Sequence, residues 1–404
     1  MGAGWKKICT FVPVKRFLLL IIWAICPFIL RAQPATDSIR VSLITCSPGH
    51  EVYQLYGHTA LRCENFTRGM DVAFNYGVFS FSQPHFIWRF VLGQCDYMVM
   101  GTQWQYFPED YQRRGSAITA QVLNLTRAEA NRLFHNLLEN CQPENCTYRY
   151  NFLFCNCTTK VRDMIEQSID GRIAYPSLPQ KMTFRQILHQ YAPRGTWDSE
   201  GNDFLLGATV DTVVTDRDAM FLPEYLMKMA DSAQVYATDG SLRPLVRETR
   251  TLLEARPTPK TELLPVTPLW AGILLLAFNL MVALAEYRLH RMWWLWDIVL
   301  LLVQGSIGTL LAFMHLFSQH PAVDSNWLLW PFNPLALVAI PWVVKAAFQR
   351  RKTKWHALHA VYLTLFIFFV PWIPQQFGRI VVPLALALLT RPLSYLAYYN
   401  KNRK

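Results

Sequence analysis

The chain has 404 residues, of which 52% are hydrophobic, 14% aromatic and only 17% charged. That balance excludes a disordered, collagenous or coiled-coil protein and requires a part that lies in lipid. The net charge of +11 divides into +4 over residues 1–30, −2 over 31–265 and +9 over 266–404, so the basic excess flanks apolar segments as an orientation signal and argues against a nucleic-acid partner.

Taken in chain order, a basic stretch ending at Arg16 precedes an apolar run over 17–30 and then Arg31-Ala32-Gln33. This is the pattern of an export signal over 1–32, either cleaved after Ala32 or kept as an anchor. The exported portion, 33–264, opens with alternating residues over 39–45, broken by Ser47-Pro48-Gly49. Gly57-His58-Thr59-Ala60-Leu61-Arg62 starts a second strand, and Val72, Phe74, Tyr76 and Val78 mark a third. Phe86, Ile87, Trp88, Phe90, Val91 and Leu92 crowd around Arg89; such a stretch suits either a core or a segment dipping into a membrane surface. Thr126-Arg127-Ala128-Glu129 is a capping box, followed by Leu133, Phe134, Leu137 and Leu138 at helical spacing. Cys155-Asn156-Cys157-Thr158-Thr159 precedes Val161, Met164, Ile165 and Ile169, so Cys157 stands at a helix N-terminus.

The remainder, 265–400, holds five apolar runs long enough to cross a bilayer: 265–285, 293–317, 327–348, 357–374 and 380–399. With the exported portion outside, the cytoplasmic loops carry Arg288 and Arg291, then Arg350, Arg351, Lys352 and Lys354, and the tail carries Lys401, Arg403 and Lys404. The opposite loops, 318–326 and 375–379, carry only Arg379, as the positive-inside rule requires. Tryptophans near the run ends suit an interfacial belt. Pro331, Pro334, Pro341 and Pro371 are expected kinks. Asp297, Lys345 and Arg391 fall inside the runs near the cytoplasmic side, where snorkelling to headgroups is the expected behaviour.

Two of the nine cysteines, Cys9 and Cys26, belong to the signal. The other seven, Cys46, Cys63, Cys95, Cys141, Cys146, Cys155 and Cys157, leave one thiol over if three disulfides form, with Cys141 and Cys146 the natural local pair. A thiol at a helix start is activated by the positive end of the dipole, and a His on a neighbouring strand can take its proton. Cys157 with His58 is the candidate dyad, and Cys155 is a competing nucleophile. On spacing alone, a Cys and a His 99 positions apart are more often a core thiol and a satisfied core histidine. His50, His85, His135 and His189 show no metal-ligand spacing, and no metal or cofactor motif is present.

The segments Cys46-Ser47-Pro48-Gly49, Tyr56-Gly57-His58-Thr59-Ala60-Leu61-Arg62, Phe74-Asn75-Tyr76-Gly77-Val78-Phe79, Asn151-Phe152, Asn156-Cys157-Thr158-Thr159 and Phe221-Leu222-Pro223 resemble the exported domain of the Lnb family of lipoprotein N-acyltransferases. The resemblance spans residues 38–230. It implies an α+β fold, a circularly permuted papain-like exported domain followed by an all-α bundle of about five transmembrane helices. It further implies Cys157 as nucleophile, His58 as base and Asn75 as orienter of the base, with Asp71 the runner-up. Arg62 and Tyr76 are candidates to line the substrate pocket, with strand packing the favoured reading for the tyrosine. Cys155 departs from the small acid or polar residue expected at its position. The implied site is the periplasmic side of a bacterial inner membrane, crossed several times. The implied partners are a phospholipid acyl donor and a diacylated lipoprotein acceptor. Competing functions on the same residues are a membrane-anchored peptidase or amidase acting on cell-wall peptides, a phospholipid hydrolase, and a non-catalytic binding module.

Overall fold

The computed structural model describes residues 38–79, 84–256 and 265–401; the export signal and its cleavage position lie outside them. Seven strands, β1 (Ile39–Cys46), β2 (His58–Asn65), β3 (Met70–Val78), β4 (Asp96–Gln103), β5 (Ile118–Leu123), β6 (Thr147–Arg149) and β10 (Val246–Leu253), form one antiparallel sheet ordered β10-β5-β1-β2-β3-β4-β6. A smaller sheet joins β7 (Gly171–Ala174), β8 (Gln234–Ala237) and β9 (Leu242–Pro244). The alternation in β1 to β3 fixes the register, because a slip of one residue would turn every apolar side chain out of the core. Cys46 therefore lies opposite His58, and Ala60 opposite Asn75.

Four helices border the site: α1 (Phe86–Val91), α2 (Phe107–Arg114), α3 (Arg127–Asn140) and α4 (Cys157–Ser168). One face of the sheet, with Val41, Leu43, Leu61, Cys63, Phe74 and Tyr76, packs on α3 and α4 through Leu133, Phe134, Leu137, Val161 and Ile165. The other face, with Ile44, Cys46, Ala60, Ala73 and Ile118, packs on α2 through Phe107 and Tyr111. Both halves of the Thr126–Glu129 capping box form at the start of α3.

The C-terminal part is helical. Pro268–Leu289, Trp294–Phe317, Lys354–Trp372 and Val381–Asn400 are long and apolar enough to cross a membrane. The run over 327–348 takes a different form from the continuous span expected of it. A 3-10 turn at Trp327–Leu329 is followed by a shorter helix, Leu335–Phe348, of 14 residues. Pro331 and Pro334 cause the break, since neither has an N–H to donate and each disfavours helical geometry in the residue before it. Buried Gln304 donates to the freed Pro331 carbonyl at 2.7 Å, which satisfies in protein a group that lipid would leave bare.

The expectation of snorkelling fails for two of the three intramembrane charges. Arg391 bonds Glu286 at 2.7 and 3.1 Å and pairs with Asp297, and all three are buried. A charge this far from water is tolerable only when paired and hydrogen-bonded. Ser394 and the backbone N–H of Trp293 complete the shell of Glu286. Lys345 is exposed on its helix.

The exported domain is docked on the bundle by the two loops assigned to its side. From 318–326, Gln319 N–H donates to the Leu92 carbonyl at 2.9 Å, and Asn326 Nδ2 donates to the Phe204 carbonyl at 2.9 Å. From 375–380, Gln375 Nε2 donates to the Leu206 carbonyl at 3.1 Å, and the Arg379 N–H donates to Glu200 Oε1 at 2.7 Å.

Candidate active site

The site forms where β2 begins, β3 ends and α4 starts. Gly57 makes the turn into β2: its φ is +76°, and a Cβ there would sit 2.5 Å from the Cys46 carbonyl oxygen. Only glycine allows that approach, so the Gly57-His58 pair is a geometric requirement for placing His58 on the strand. His58 is two residues from Ala60, whose cross-strand partner is Asn75. This diagonal, same-face relation brings His58 Nε2 to 3.2 Å from Asn75 Oδ1. With Nε2 held, Nδ1 is the nitrogen left to face the thiol.

Asn156 builds the other half. Its Oδ1 accepts from the N–H groups of Thr158 at 2.8 Å and Thr159 at 3.0 Å, capping α4. Its Nδ2 donates to the carbonyls of Phe152 at 2.8 Å and Phe221 at 2.9 Å. Phe152 and Phe221 also meet edge-on, so the distant Phe221-Leu222-Pro223 segment holds the cap in place. Thr158 and Thr59 share a hydrogen bond of 3.1 Å between buried hydroxyls, pinning α4 to β2 beside Cys157. The N–H of Cys157 is one of the orphan donors of a helix start.

Burial pushes the Cys157 thiol up, but the charge and hydrogen bond of His58, the Thr59 N–H and the Thr158 hydroxyl outweigh it, and the thiol titrates below its usual range. Burial opposes the His58 imidazolium, but the Cys157 charge and hydrogen bonds to Cys157 and Asn75 outweigh that penalty and raise it. The two groups thus favour a thiolate–imidazolium pair. Burial pushes Cys155 up instead. That residue is held in a reciprocal backbone bridge with Asn151, 2.9 Å in each direction.

Arg62 and Tyr76 are placed elsewhere. Arg62 is four residues along β2 from His58, about 13 Å, its guanidinium bonded to Asp71 at 2.8 and 2.6 Å and stacked 4.2 Å over Trp104. Asp71 is thereby engaged with Arg62 and not with His58. Tyr76 points into the core and donates to Asn140 Oδ1 at 3.3 Å.

Three residues around the His58–Cys157 pair were given no role by the sequence reading. Tyr111 stacks on His58 with ring centroids 6.4 Å apart and packs in the same apolar cluster as the buried Cys46. Gly77, with φ of +90°, offers a bare backbone to the Cys157 Cβ, 3.6 Å from where its own Cβ would stand. Tyr148 places its hydroxyl 3.8 Å from that same point, buried and with no hydrogen-bond partner among the described residues. Burial and the Cys157 charge push the phenol far up, so it stays protonated and able to donate. No motif announces Tyr148; β6, only three residues long, brings it in from the sheet edge.

All seven described cysteines are free thiols. The expected Cys141–Cys146 bond is not formed; the intervening turn directs the Cys146 sulfur to the Pro143 carbonyl, 3.6 Å away. Among the described residues no group of three or more His, Cys, Asp or Glu side chains is placed to hold a metal.

Residues 29–190 match the model of the Lnb N-terminal periplasmic domain, and residues 259–403 match that of the Lnb transmembrane domain. No curated protein and no solved structure matches the chain. The two domain models occur here in order and cover most of the chain between them, so this protein belongs to the Lnb family, with a periplasmic N-terminal domain and a membrane domain behind it.

Proposed function

We propose that this protein is a thiol-dependent lipoprotein N-acyltransferase of a bacterial inner membrane. It moves an acyl chain from a phospholipid to the α-amine of a diacylglyceryl-cysteine lipoprotein. The observation that carries this reading is the His58–Cys157 pair, oriented by Asn75, in a domain fastened to a membrane bundle. Residues 33–264 are the catalytic portion and 265–400 the membrane portion. A cysteine at a helix start facing a strand histidine is the arrangement of papain-like enzymes, here with the histidine strand first.

The Cys157 thiolate attacks the ester carbonyl, and charge develops on the carbonyl oxygen. The Cys157 N–H and the unpartnered Tyr148 hydroxyl are the donors for that oxyanion. The His58 imidazolium then protonates the leaving glycerol oxygen as the C–O bond breaks, giving a thioester and a lysophospholipid. In the second half the lipoprotein amine attacks the thioester carbonyl. His58 takes the amine proton, the C–S bond breaks, and an amide and the free thiol result. The atoms balance without any cofactor.

A peptidase acting on soluble peptides has no use for a catalytic domain locked to lipid-spanning helices, whereas both substrates of acyl transfer live in the bilayer. The test is mass spectrometry of lipoprotein N-terminal peptides in cells with and without this protein. N-acylated termini should be lost in its absence. Unchanged termini would sink the reading.

A further inference from the structure

The helix α1 does not behave as core. Ile87 is 79% exposed, Trp88 57% and Phe90 47%. Its one charge, Arg89, is held against Asp96 and the Gln94 carbonyl, with its side chain 37% exposed. The outer surface of α1 is therefore dominated by Ile87, Trp88 and Phe90, and its position says what covers it. Trp88 packs on Phe313 with centroids 5.3 Å apart. Phe313 lies one turn, about 6 Å, inside the end of the membrane-crossing helix Trp294–Phe317. Phe90 meets His320 of the following loop, whose Nε2 lies 3.0 Å from the Phe90 carbonyl oxygen. The exposed Leu316 and Phe317 continue the same surface on the span itself. A patch continuous with a transmembrane helix, one turn below its end, faces lipid.

From this lip a row of aromatic rings leads inward. Phe90 neighbours Phe86 at 6.3 Å, Phe86 stacks on Phe79 at 5.7 Å, Phe79 on Tyr97 at 4.8 Å, and Tyr97 on Tyr150 at 4.2 Å. Tyr150 lies two residues past Tyr148, whose hydroxyl flanks Gly77 together with the Cys157 Cβ. We propose that α1, Phe79, Tyr97 and Tyr150 form the binding wall for one acyl chain of a phospholipid in the periplasmic leaflet, leading its ester carbonyl from the bilayer to Cys157. This inference rests on the acyl-transfer reading for its chemistry, but the lipid contact stands on the geometry alone.

The test uses the full-length protein in vesicles of diacyl phosphatidylethanolamine and phosphatidylglycerol with sixteen- and eighteen-carbon chains. A benzophenone amino acid is placed at Ile87 or, as control, at Phe66, which is also exposed but sits past the far end of β2. Irradiation should give phospholipid adducts at 87 and none at 66. Protein cross-links alone at 87, or equal lipid adducts at both, would overturn the lip. In a second arm Phe79→Ala should narrow the KM gap between sixteen- and six-carbon ester donors by about tenfold, as loss of a large apolar contact predicts. An unmoved gap with both rates depressed together would reduce the ring row to a structural prop. Lipid adducts at 87 without any N-acylated product would keep the lip and discard the acyltransferase reading. N-acylated product without adducts would do the reverse.

Discussion

At the periplasmic end, His58, Cys157 and Asn75 meet half-buried, with the Tyr148 hydroxyl beside them unpartnered. At the opposite end of the bundle, Arg391, Glu286 and Asp297 are buried, and the guanidinium is bonded on both sides. Both are polar clusters closed by contacts far apart in sequence. They differ in what is left over. The first keeps a thiol and an unpartnered phenol hydroxyl beside a histidine that can exchange a proton with that thiol. The second spends its cation on two helices, Pro268–Leu289 and Trp294–Phe317, that must hold a fixed relation to the last one. A thiol beside a proton acceptor, and not burial, charge or a leftover polar atom as such, separates a place where chemistry can occur from one that fixes packing, since Asp297 Oδ2 in the second cluster is also buried and unpartnered among the described residues.

The sharpest break in that comparison is at the nucleophile. Cys157→Ser should abolish both acyl-enzyme formation and N-acylation, while Cys155→Ser should retain turnover, read by intact-protein mass spectrometry after incubation with phospholipid. A reversed pair of results would move the nucleophile to Cys155.

Removing the base comes next. His58→Ala should lower turnover by about 10²- to 10⁴-fold, the usual cost of losing a general base. The pH profile of Cys157 alkylation supplies the sign. In the intact protein the His58 charge and hydrogen bond draw the thiol below its usual range. Without them burial is opposed only by the weaker bonds from Thr59 and Thr158, so the alkylation midpoint should move up. A midpoint that stays in place would deny the coupling of the two side chains.

Tyr148→Phe keeps the ring and removes only the hydroxyl. Loss of one oxyanion donor should cost about 10²- to 10³-fold in kcat with little change in KM. Near-normal kcat would return Tyr148 to a packing role.

Predictions for the bundle cluster concern stability. Arg391→Leu strands two buried carboxylates and should cost about 3–5 kcal/mol against unfolding in detergent. Lys345→Ala, on an exposed position, should change stability by no more than about 0.5 kcal/mol. Equal losses in the two variants would mean that the buried pairing contributes nothing.

Much of this molecule was legible in its residues. Alternation set the first three strands, the Thr126 capping box set α3, and the spacing of Val161, Met164, Ile165 and Ile169 set α4 with Cys157 at its start, because each depends on neighbours within a few positions. The long apolar runs and their flanking Lys and Arg residues placed the two loops that now hold the domain, since lipid imposes length and sign on a segment directly. What escaped depended on contacts between distant segments. The 327–348 run contained its own warning in Pro331 and Pro334, but whether prolines kink a helix or end it was decided by Gln304 waiting on a neighbouring span. Asp297 and Arg391 read as snorkelling charges until the fold brought them together across 94 positions. Arg62, suggested as a pocket residue, is claimed by Asp71 across the hairpin and by Trp104 above it.

By itself, then, the sequence determined which segments are apolar enough for lipid, and which thiol begins a helix, because local periodicity and charge bias act over a turn or a span. Only the tertiary structure decided that His58 and Asn75 share a strand face, that Tyr148 arrives from the sheet edge with its hydroxyl free, and that α1 packs on the end of the Trp294–Phe317 helix. Register, crossing order and docking bring together groups whose separation along the chain carries no trace of their nearness in space.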